Sequence, residues 1–328
     1  MRIAIFGAGA VGCYLGGRLA AAGGSVLLIG RARIGTEIAQ GLTVTDYRGG
    51  RAQVGALPFA EGPEAAHEAD LVLVCVKSAA SAEAAQALRP CLAPDAVVVS
   101  FQNGLRNAQT LAEGLGRPVL PGMVGFNVAA QGEGRFHQGT QGDLHVARDP
   151  RLPAALFARA GLALRQHGDM PAVLRAKLML NLNNAINALS GVPLQAELSQ
   201  RDYRRCLALA QEEWLTLTAR AGQPLARLTP LPASMLPRVL RLPDSLFRRL
   251  AGGMLRIDPL ARSSMADDLA LGRQTEIDWI NGEVVRLAES LGRDAPVNRR
   301  LMGLIRAGRR IWPASALLTE LSAARRPA

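Results

Sequence analysis

"IAIFGAGAVGCYLGG", residues 3–17, sets Gly7, Gly9 and Gly12 in GxGxxG spacing directly after an apolar run and at the head of a helical pattern. That context predicts a strand, a tight turn and a helix that together hold a dinucleotide. The first glycine makes the turn, the second lets a pyrophosphate approach the backbone, and the third lets the helix pack on the strand. The phosphates would lie at the helix N-terminus, where free N–H groups and the helix dipole attract anions. A glycine-rich turn that binds nothing is the competing explanation, and the flanking strand and helix weigh against it.

Outward from this turn, up to about residue 168, short β-branched runs alternate with Ala-rich helical stretches. "SVLLIG" (25–30), "LVLVCV" (71–76), "AVVVSF" (96–101) and "PVLPGMVG" (118–125) read as strands, "YLGGRLAAAG" (14–23) and "SAEAAQALRP" (81–90) as helices. Strands apolar nearly throughout, with helices between them, imply a parallel sheet covered on both faces. This is a doubly wound α/β domain of Rossmann type. Between "VARDP" (146–150) and "ALRQHGDM" (163–170) one more strand-helix-strand is expected, and after Pro171 strand patterns disappear. Helical runs follow, broken by prolines around 224–243. The expected division is a dinucleotide-binding domain over 1–168 and an all-α substrate domain over 169–328.

Composition narrows the partners. The 328 residues carry a formal charge of +11, but the arginines are spread along the chain with no basic run interleaved with aromatics, so nucleic acid is not expected. Cysteines at 13, 75, 91 and 206 form no CxxC pair and no metal-ligand spacing, which suits reduced thiols of a cytosolic protein without a metal site. The first residues imitate a secretory signal, yet glycines interrupt the apolar stretch and the pattern continues past any cleavage point. No stretch reaches the roughly 18 apolar residues of a spanning helix. A cytoplasmic location without membrane attachment is the expectation.

Cofactor choice is read at the end of the second strand, where NAD needs a carboxylate for its ribose. Here "SVLLIGRAR" ends in Gly30-Arg31 with Arg33 close by, and no acid precedes Glu37. NADP is therefore expected, with Arg31 meeting the 2′-phosphate as a charge-assisted fork. A solvated loop arginine is the alternative.

Of the 38 lysines and arginines only Lys77 and Lys177 are lysine. Arginine supplies charge but cannot give up a proton near neutrality, whereas an ammonium can be tuned to do so. Lys77 closes the strand "LVLVCVK" and Asn103 follows "AVVVSFQNG", both at C-terminal strand ends where open α/β sheets bind ligands. Asn-Gly is also a turn pair, so Asn103 alone divides evenly between function and turn chemistry. Lys177, Asn181 and Asn184 fall within about 60° on a helix and form one polar stripe, while Leu178, Leu182, Ala185 and Leu189 make an apolar flank. Four asparagines at 181, 183, 184 and 187 are mediocre helix formers and need a reason; binding a small polar substrate supplies one. In "TEIDWING" (275–282), Thr275 and Asp278 have capping-box spacing, which puts Glu276 in the first turn of a helix running to about Ser290. Ser264, in "RSSM" (262–265), reads as a helix N-cap.

Taken together, the glycine turn, the "QNG", the lysine–asparagine stripe, "SSM..D" and above all "TEIDWING" resemble the ketopantoate reductase (2-dehydropantoate 2-reductase) family, in the family's order and over nearly the whole chain. The resemblance implies NADPH-dependent reduction of 2-dehydropantoate to pantoate, a step of pantothenate and coenzyme A biosynthesis. It implies that Lys177 donates the proton and Glu276 assists it. It implies that Gly7, Ala8, Gly9, Ala10, Val11, Gly12, Arg31, Lys77, Asn103 and Ala130 contact the cofactor, and that Asn103, Lys177, Asn181, Asn184 and Ser264 hold the substrate. A homodimer is left open. The chain departs from the family pattern at three points: the second helix asparagine, often eight residues after the lysine, is Ala185 with Asn184 nearest; a tryptophan common before the lysine is Arg175; and a further substrate asparagine is replaced near Gln195. All three touch the substrate pocket. The alternatives are reduction of another small 2-keto acid, or an NADP-sensing binding protein without turnover.

Overall fold

Among the residues described by the computed structural model, 1–250, 252, 258–308 and 310–325, the apolar runs become strands wherever both faces can be covered. They are β1 (Arg2–Phe6), β2 (Ser25–Ile29), β3 (Leu42–Asp46), β4 (Arg51–Val54), β5 (Phe59–Ala60), β6 (Leu71–Val74), β7 (Val97–Ser100), β8 (Leu120–Val124), β9 (Val128–Gly132), β10 (Arg135–Gln138), β11 (Leu144–Ala147) and β12 (Leu164–His167). Eight of them form one sheet in the order β12-β11-β8-β7-β6-β1-β2-β5. Its pairings are parallel except β11 on β8. β1 lies inside the sheet, with Ile3 level with Val26 on one side and Leu71 on the other. All four side chains of β6 and of β7 are buried, as strands covered on both faces require.

The expected α/β half is present, with one addition that the patterning does not announce. A second sheet, β4-β3-β10-β9, lies against the helix Ala10–Ala21. That helix is therefore covered on two sides, and its glycines record it. A Cβ on Gly16 would press on Leu28 of β2, and one on Gly17 would collide with Leu42 and Val44 of β3. One core thus runs from Ile3 and Ile5 through Tyr14, Leu15 and Leu19 to Leu42, Val44 and Phe136. The opposite face of the main sheet packs Val72, Val74 and Val98 against Ala84, Leu88, Leu111 and Leu115 of the helices Ser81–Leu88 and Asn107–Leu115.

The chain divides into two units, Met1–Pro171 and Ala172–Ala328. The described residues of the second contain helices only. Its axis is the 20-residue helix Arg201–Arg220, whose Tyr203, Leu207, Ala210, Trp214 and Leu217 recur at helical spacing and are buried. The helices Asn183–Ser190, Leu236–Leu240, Asn281–Ser290, Pro296–Arg306 and Ala314–Ala324 pack on it. Side chains that fill such a core contribute about 1.5–3 kcal/mol each. Polar groups of the axis tie down the helix ends around it. The Glu213 carboxylate accepts from the Val297 and Asn298 amides at 2.8 and 3.0 Å, capping Pro296–Arg306, and from Asn298 Nδ2 at 2.7 Å. Burial still pushes the Glu213 carboxyl up against these three donors. Among the described residues no helix is long and apolar enough to cross a membrane.

Candidate active site

In the N-terminal unit the site is made largely of backbone. Gly7 has φ +105°, a conformation that L side chains rarely adopt, and a Cβ there would lie 2.6 Å from the Val76 amide nitrogen. The amides of Gly7 and Ala8 both donate to the Ile29 carbonyl at 2.9 Å, so the turn is pinned to the end of β2. A Cβ on Gly12 would collide with the Gly7 carbonyl, which ties the third glycine to the first. Above Gly9, by contrast, a Cβ would meet nothing within 4 Å. The helix then starts at Ala10 with no side-chain cap and no acid in its first turn. Ala10, Val11 and Gly12 accordingly present amide donors, the arrangement that accepts a pyrophosphate. Neighbouring thiols are inert, since burial pushes Cys13 and Cys75 up to about 12.

Arg31 and Arg33 part company at the end of β2. Arg33 is ion-paired with Glu37 at 3.6 Å, one helical turn on. Arg31 is exposed at the N-cap of the helix Ala32–Glu37 and makes no ion pair among the described residues. Glu37 is thereby occupied by Arg33 and not by Arg31.

Lys77 and Asn103 follow β6 and β7 and are held by a polar cluster that the sequence reading did not assign. Ser78 Oγ donates to the Asn103 carbonyl at 2.8 Å, and Asn107 Nδ2 donates to the same carbonyl and to Ser78 Oγ at 3.2 Å. Ser81 Oγ donates to Asn107 Oδ1 at 2.9 Å, and Gln102 Nε2 donates to Ser81 Oγ at 2.8 Å and to the Val76 carbonyl at 3.1 Å. These buried groups lock the two strand-end loops together. Gly104, at φ +98°, makes the turn after Asn103, so the Asn-Gly pair serves turn and placement at once. The sequence signal for this cluster is polar residues just past apolar strands, as in "KSAAS" (77–81) and "QNG" (102–104). Ala130 lies on β9, exposed, in the second sheet rather than the main one; β9 packs on the glycine-turn helix.

In the C-terminal unit the stripe lies on two helical segments, Met170–Asn181 and Asn183–Ser190, joined at Leu182. Leu182 keeps helical dihedrals and its amide bonds to Leu178 O at 3.0 Å, so the face is continuous. Leu178, Leu182, Ala185 and Leu189 are all buried. Trp214, fully buried, supports the first segment by donating its indole N–H to the Arg175 carbonyl at 3.1 Å. Lys177 is half-buried and makes no hydrogen bond or ion pair among the described residues. Burial pushes its ammonium down to about 8.

The asparagines divide. Asn183 and Asn187 are buried and donate to the Glu197 carboxyl at 3.2 and 2.9 Å, so these two have a structural reason and the single explanation offered for all four does not hold. Asn184, partly exposed, makes no side-chain hydrogen bond among the described residues. Asn181 is buried.

Two expectations about caps are corrected. Ser263, not Ser264, caps the helix Ser264–Ala270: its Oγ accepts from the Ala266 amide at 3.1 Å, leaving Ser264 exposed as the first helical residue. Thr275 and Asp278 do not form a capping box. Glu276 instead precedes a short 3₁₀ turn, Ile277–Trp279, that has no side-chain cap, and the helix begins only at Asn281. The cause is that the Asp278 carboxylate pairs with Arg306 rather than turning back, and that Ile280, with φ −114° and ψ −83°, breaks the helical path. Glu276 is buried. Its segment is anchored by Asn281, whose Nδ2 donates to Asn298 Oδ1 at 2.9 Å, and Asn298 in turn is held by Glu213. Among the described residues Lys177 and Glu276 are not joined in an ion pair, and it is desolvation that pushes the lysine down.

Comparison with known proteins follows this division. Residues 3–150 match the family model described as Ketopantoate reductase PanE/ApbA, and residues 169–309 match Ketopantoate reductase PanE/ApbA C terminal. A 2-dehydropantoate 2-reductase of Halobacterium salinarum is 30% identical over 322 residues, covering 94% of this chain and 99% of its own. One of Archaeoglobus fulgidus is 27% identical over 93% of this chain and 97% of its own. The crystal structure of a PanE/ApbA family ketopantoate reductase from Ralstonia eutropha JMP134 is similar with a TM-score of 0.79 at 32% identity, covering 98% of this chain and all of that one.

Proposed function

The chain belongs to the ketopantoate reductase family of oxidoreductases, and from that premise we propose that it reduces 2-dehydropantoate to pantoate with NADPH, in pantothenate and coenzyme A biosynthesis. The observation that carries the reading is Lys177: a half-buried amine without an ion pair among the described residues, brought by burial to about 8. Such a group stays mostly protonated at neutral pH yet gives its proton up readily, as a general acid must.

The nicotinamide, when bound, supplies hydride to the carbonyl carbon. The chain supplies the rest. Amides at the head of Ala10–Ala21 receive the pyrophosphate, with Gly9 leaving room for it. Arg31 receives the 2′-phosphate as a charge-assisted fork, and this selects NADPH over NADH, with Glu37 occupied by Arg33. Lys77, Asn103 and Ala130 complete the cofactor contacts. As charge builds on the carbonyl oxygen, the Lys177 ammonium donates a proton to it, which prevents a free alkoxide from accumulating. Asn181, the unpartnered amide of Asn184, and exposed Ser264 hydrogen-bond the substrate's carboxylate and hydroxyl. Glu276 assists as a buried acceptor that orients the donating groups once substrate is present.

Mixing the purified protein with NADPH or NADH and a panel of small 2-keto acids, and following nicotinamide absorbance, tests the proposal. Turnover of 2-dehydropantoate with kcat/KM at least tenfold above other acids, and with NADPH preferred, is expected. Preference for a different acid would assign the altered pocket positions Ala185 and Gln195 to another substrate, and binding of NADPH without turnover of any acid would identify a sensor.

A further inference from the structure

Glu197 is completely buried, carries a titratable group, and has no part in the chemistry above. It lies on the helix Leu194–Leu198, and its Oε2 accepts from Asn183 Nδ2 at 3.2 Å and Asn187 Nδ2 at 2.9 Å. The second hydrogen of Asn187 Nδ2 goes to the Val192 carbonyl at 3.0 Å. With both donors engaged, Asn187 Oδ1 has one direction left, and there it accepts from the Ser263 amide at 2.9 Å. A flipped amide would oppose two donors, Asn187 Nδ2 and Ser263 N, and break all of these contacts. Ser263 passes the constraint on. Its Oγ donates to the Asn184 carbonyl at 3.2 Å and accepts from the Ala266 amide at 3.1 Å, so it sets both the start of the helix Ser264–Ala270 and its spacing from Asn184.

We propose that Glu197 is a positioning residue for the keto acid: by fixing the Asn187 amide it sets the mutual placement of Asn184 and Ser264. The proposal rests on the reading that those two residues bind the substrate. It predicts an effect on substrate and none on cofactor, because no bond of the network involves the glycine turn or the strand-end loops.

The role needs the acceptor and not the charge. Glu197 Oε1 and Asn183 Oδ1 are both buried acceptors without a hydrogen-bond partner among the described residues. A proton on Oε1 removes a buried charge and turns that oxygen into a donor. Burial pushes the Glu197 carboxyl up to about 8 against the pull of the two amides. The facing groups on Arg201–Arg220, the Tyr203 phenol and the Cys206 thiol, are themselves pushed up and stay neutral. A glutamine therefore reproduces the arrangement, its oxygen accepting from Asn183 and Asn187 and its NH₂ replacing the protonated oxygen.

The test compares wild type with Glu197→Ala, Glu197→Asp and Glu197→Gln, reading kcat and KM for 2-dehydropantoate and the Kd of NADPH by fluorescence. Glu197→Ala and Glu197→Asp are expected to raise the keto-acid KM by tenfold or more with NADPH Kd within twofold of wild type, and Glu197→Gln is expected to restore KM to within about threefold. In a Ser264→Ala background Glu197→Ala should add less than threefold, since it acts through that residue. The aspartate variant decides the matter if the alanine variant does not fold. An unchanged keto-acid KM in folded Glu197→Asp, an equal loss of NADPH affinity, or a glutamine variant as impaired as the aspartate one overturns the proposal while leaving the function intact. Wild type that turns over no 2-keto acid overturns both.

Discussion

The two units reach a binding site by opposite means. Around Gly7–Gly12 the chain removes side chains, so that backbone amides are left open for the proposed cofactor and neighbouring strands press close. In the helical unit it does the reverse, burying Asn183, Asn187, Glu197, Asn281 and Asn298, with half-buried Glu213 beside Asn298, to hold a few presented groups in register. A site made of backbone tolerates almost no addition of atoms. One made of buried side chains tolerates almost no loss of partners. The contrast predicts that variants in the first region act on the cofactor and variants in the second act on chemistry or substrate.

The largest expected effect lies in the second region. Lys177→Ala should lower kcat by roughly 10³-fold, within the range for loss of a positioned general acid, with NADPH affinity unchanged by fluorescence titration. Near-normal turnover would remove Lys177 from the role, and a matching loss of NADPH affinity would break the division between regions. Next comes Arg31→Ala in the first region. Losing a charge-assisted fork should cut the ratio of NADPH to NADH efficiency about 10- to 100-fold, with the keto-acid KM held. An unchanged ratio would return Arg31 to the status of a solvated loop residue.

The smallest effect concerns stability and sharpens the comparison. Glu197 has its pKa raised on folding from an ordinary carboxyl value to about 8, so its contribution is fully present below the unfolded pKa and is lost as pH rises through about 8. Glu197→Gln cannot ionise and escapes that loss. Its Tm should therefore gain on wild type by a few degrees between pH 5 and pH 8.5, measured by calorimetry, whereas a constant difference would mean that folding does not raise the pKa of the wild-type carboxyl.

What could be read in advance follows the same contrast. The glycine turn is local, and each of its constraints acts within six residues or against an adjacent strand, so spacing alone announces it. The second sheet joins β3 to β10, with Thr43 level with Arg135, through half-exposed strands such as Arg51–Val54, and neither periodicity nor apolar content marks them. The capping-box spacing of Thr275 and Asp278 misled because Arg306, far along the chain, claims the Asp278 carboxylate. The run of asparagines does not show that Asn183 and Asn187 serve the fold, since Glu197 lies outside the stripe and only folding brings it under them. Lys177 stands out in the sequence for a chemical reason: in a chain that uses arginine nearly everywhere for charge, a lysine is a group whose proton can be tuned, and that makes it the candidate for the proposed proton transfer.

The pH dependence of kcat/KM in wild type and in Lys177→Arg tests that claim most directly. If the Lys177 ammonium at about 8 delivers the proton, wild-type reduction should be level below pH 7 and fall about tenfold per unit well above pH 8, while NADP-linked oxidation of pantoate rises over the same interval. The arginine variant should be slow and lack the alkaline limb. A wild-type profile flat to pH 9.5, or one with the same limb in Lys177→Arg, would contradict the account.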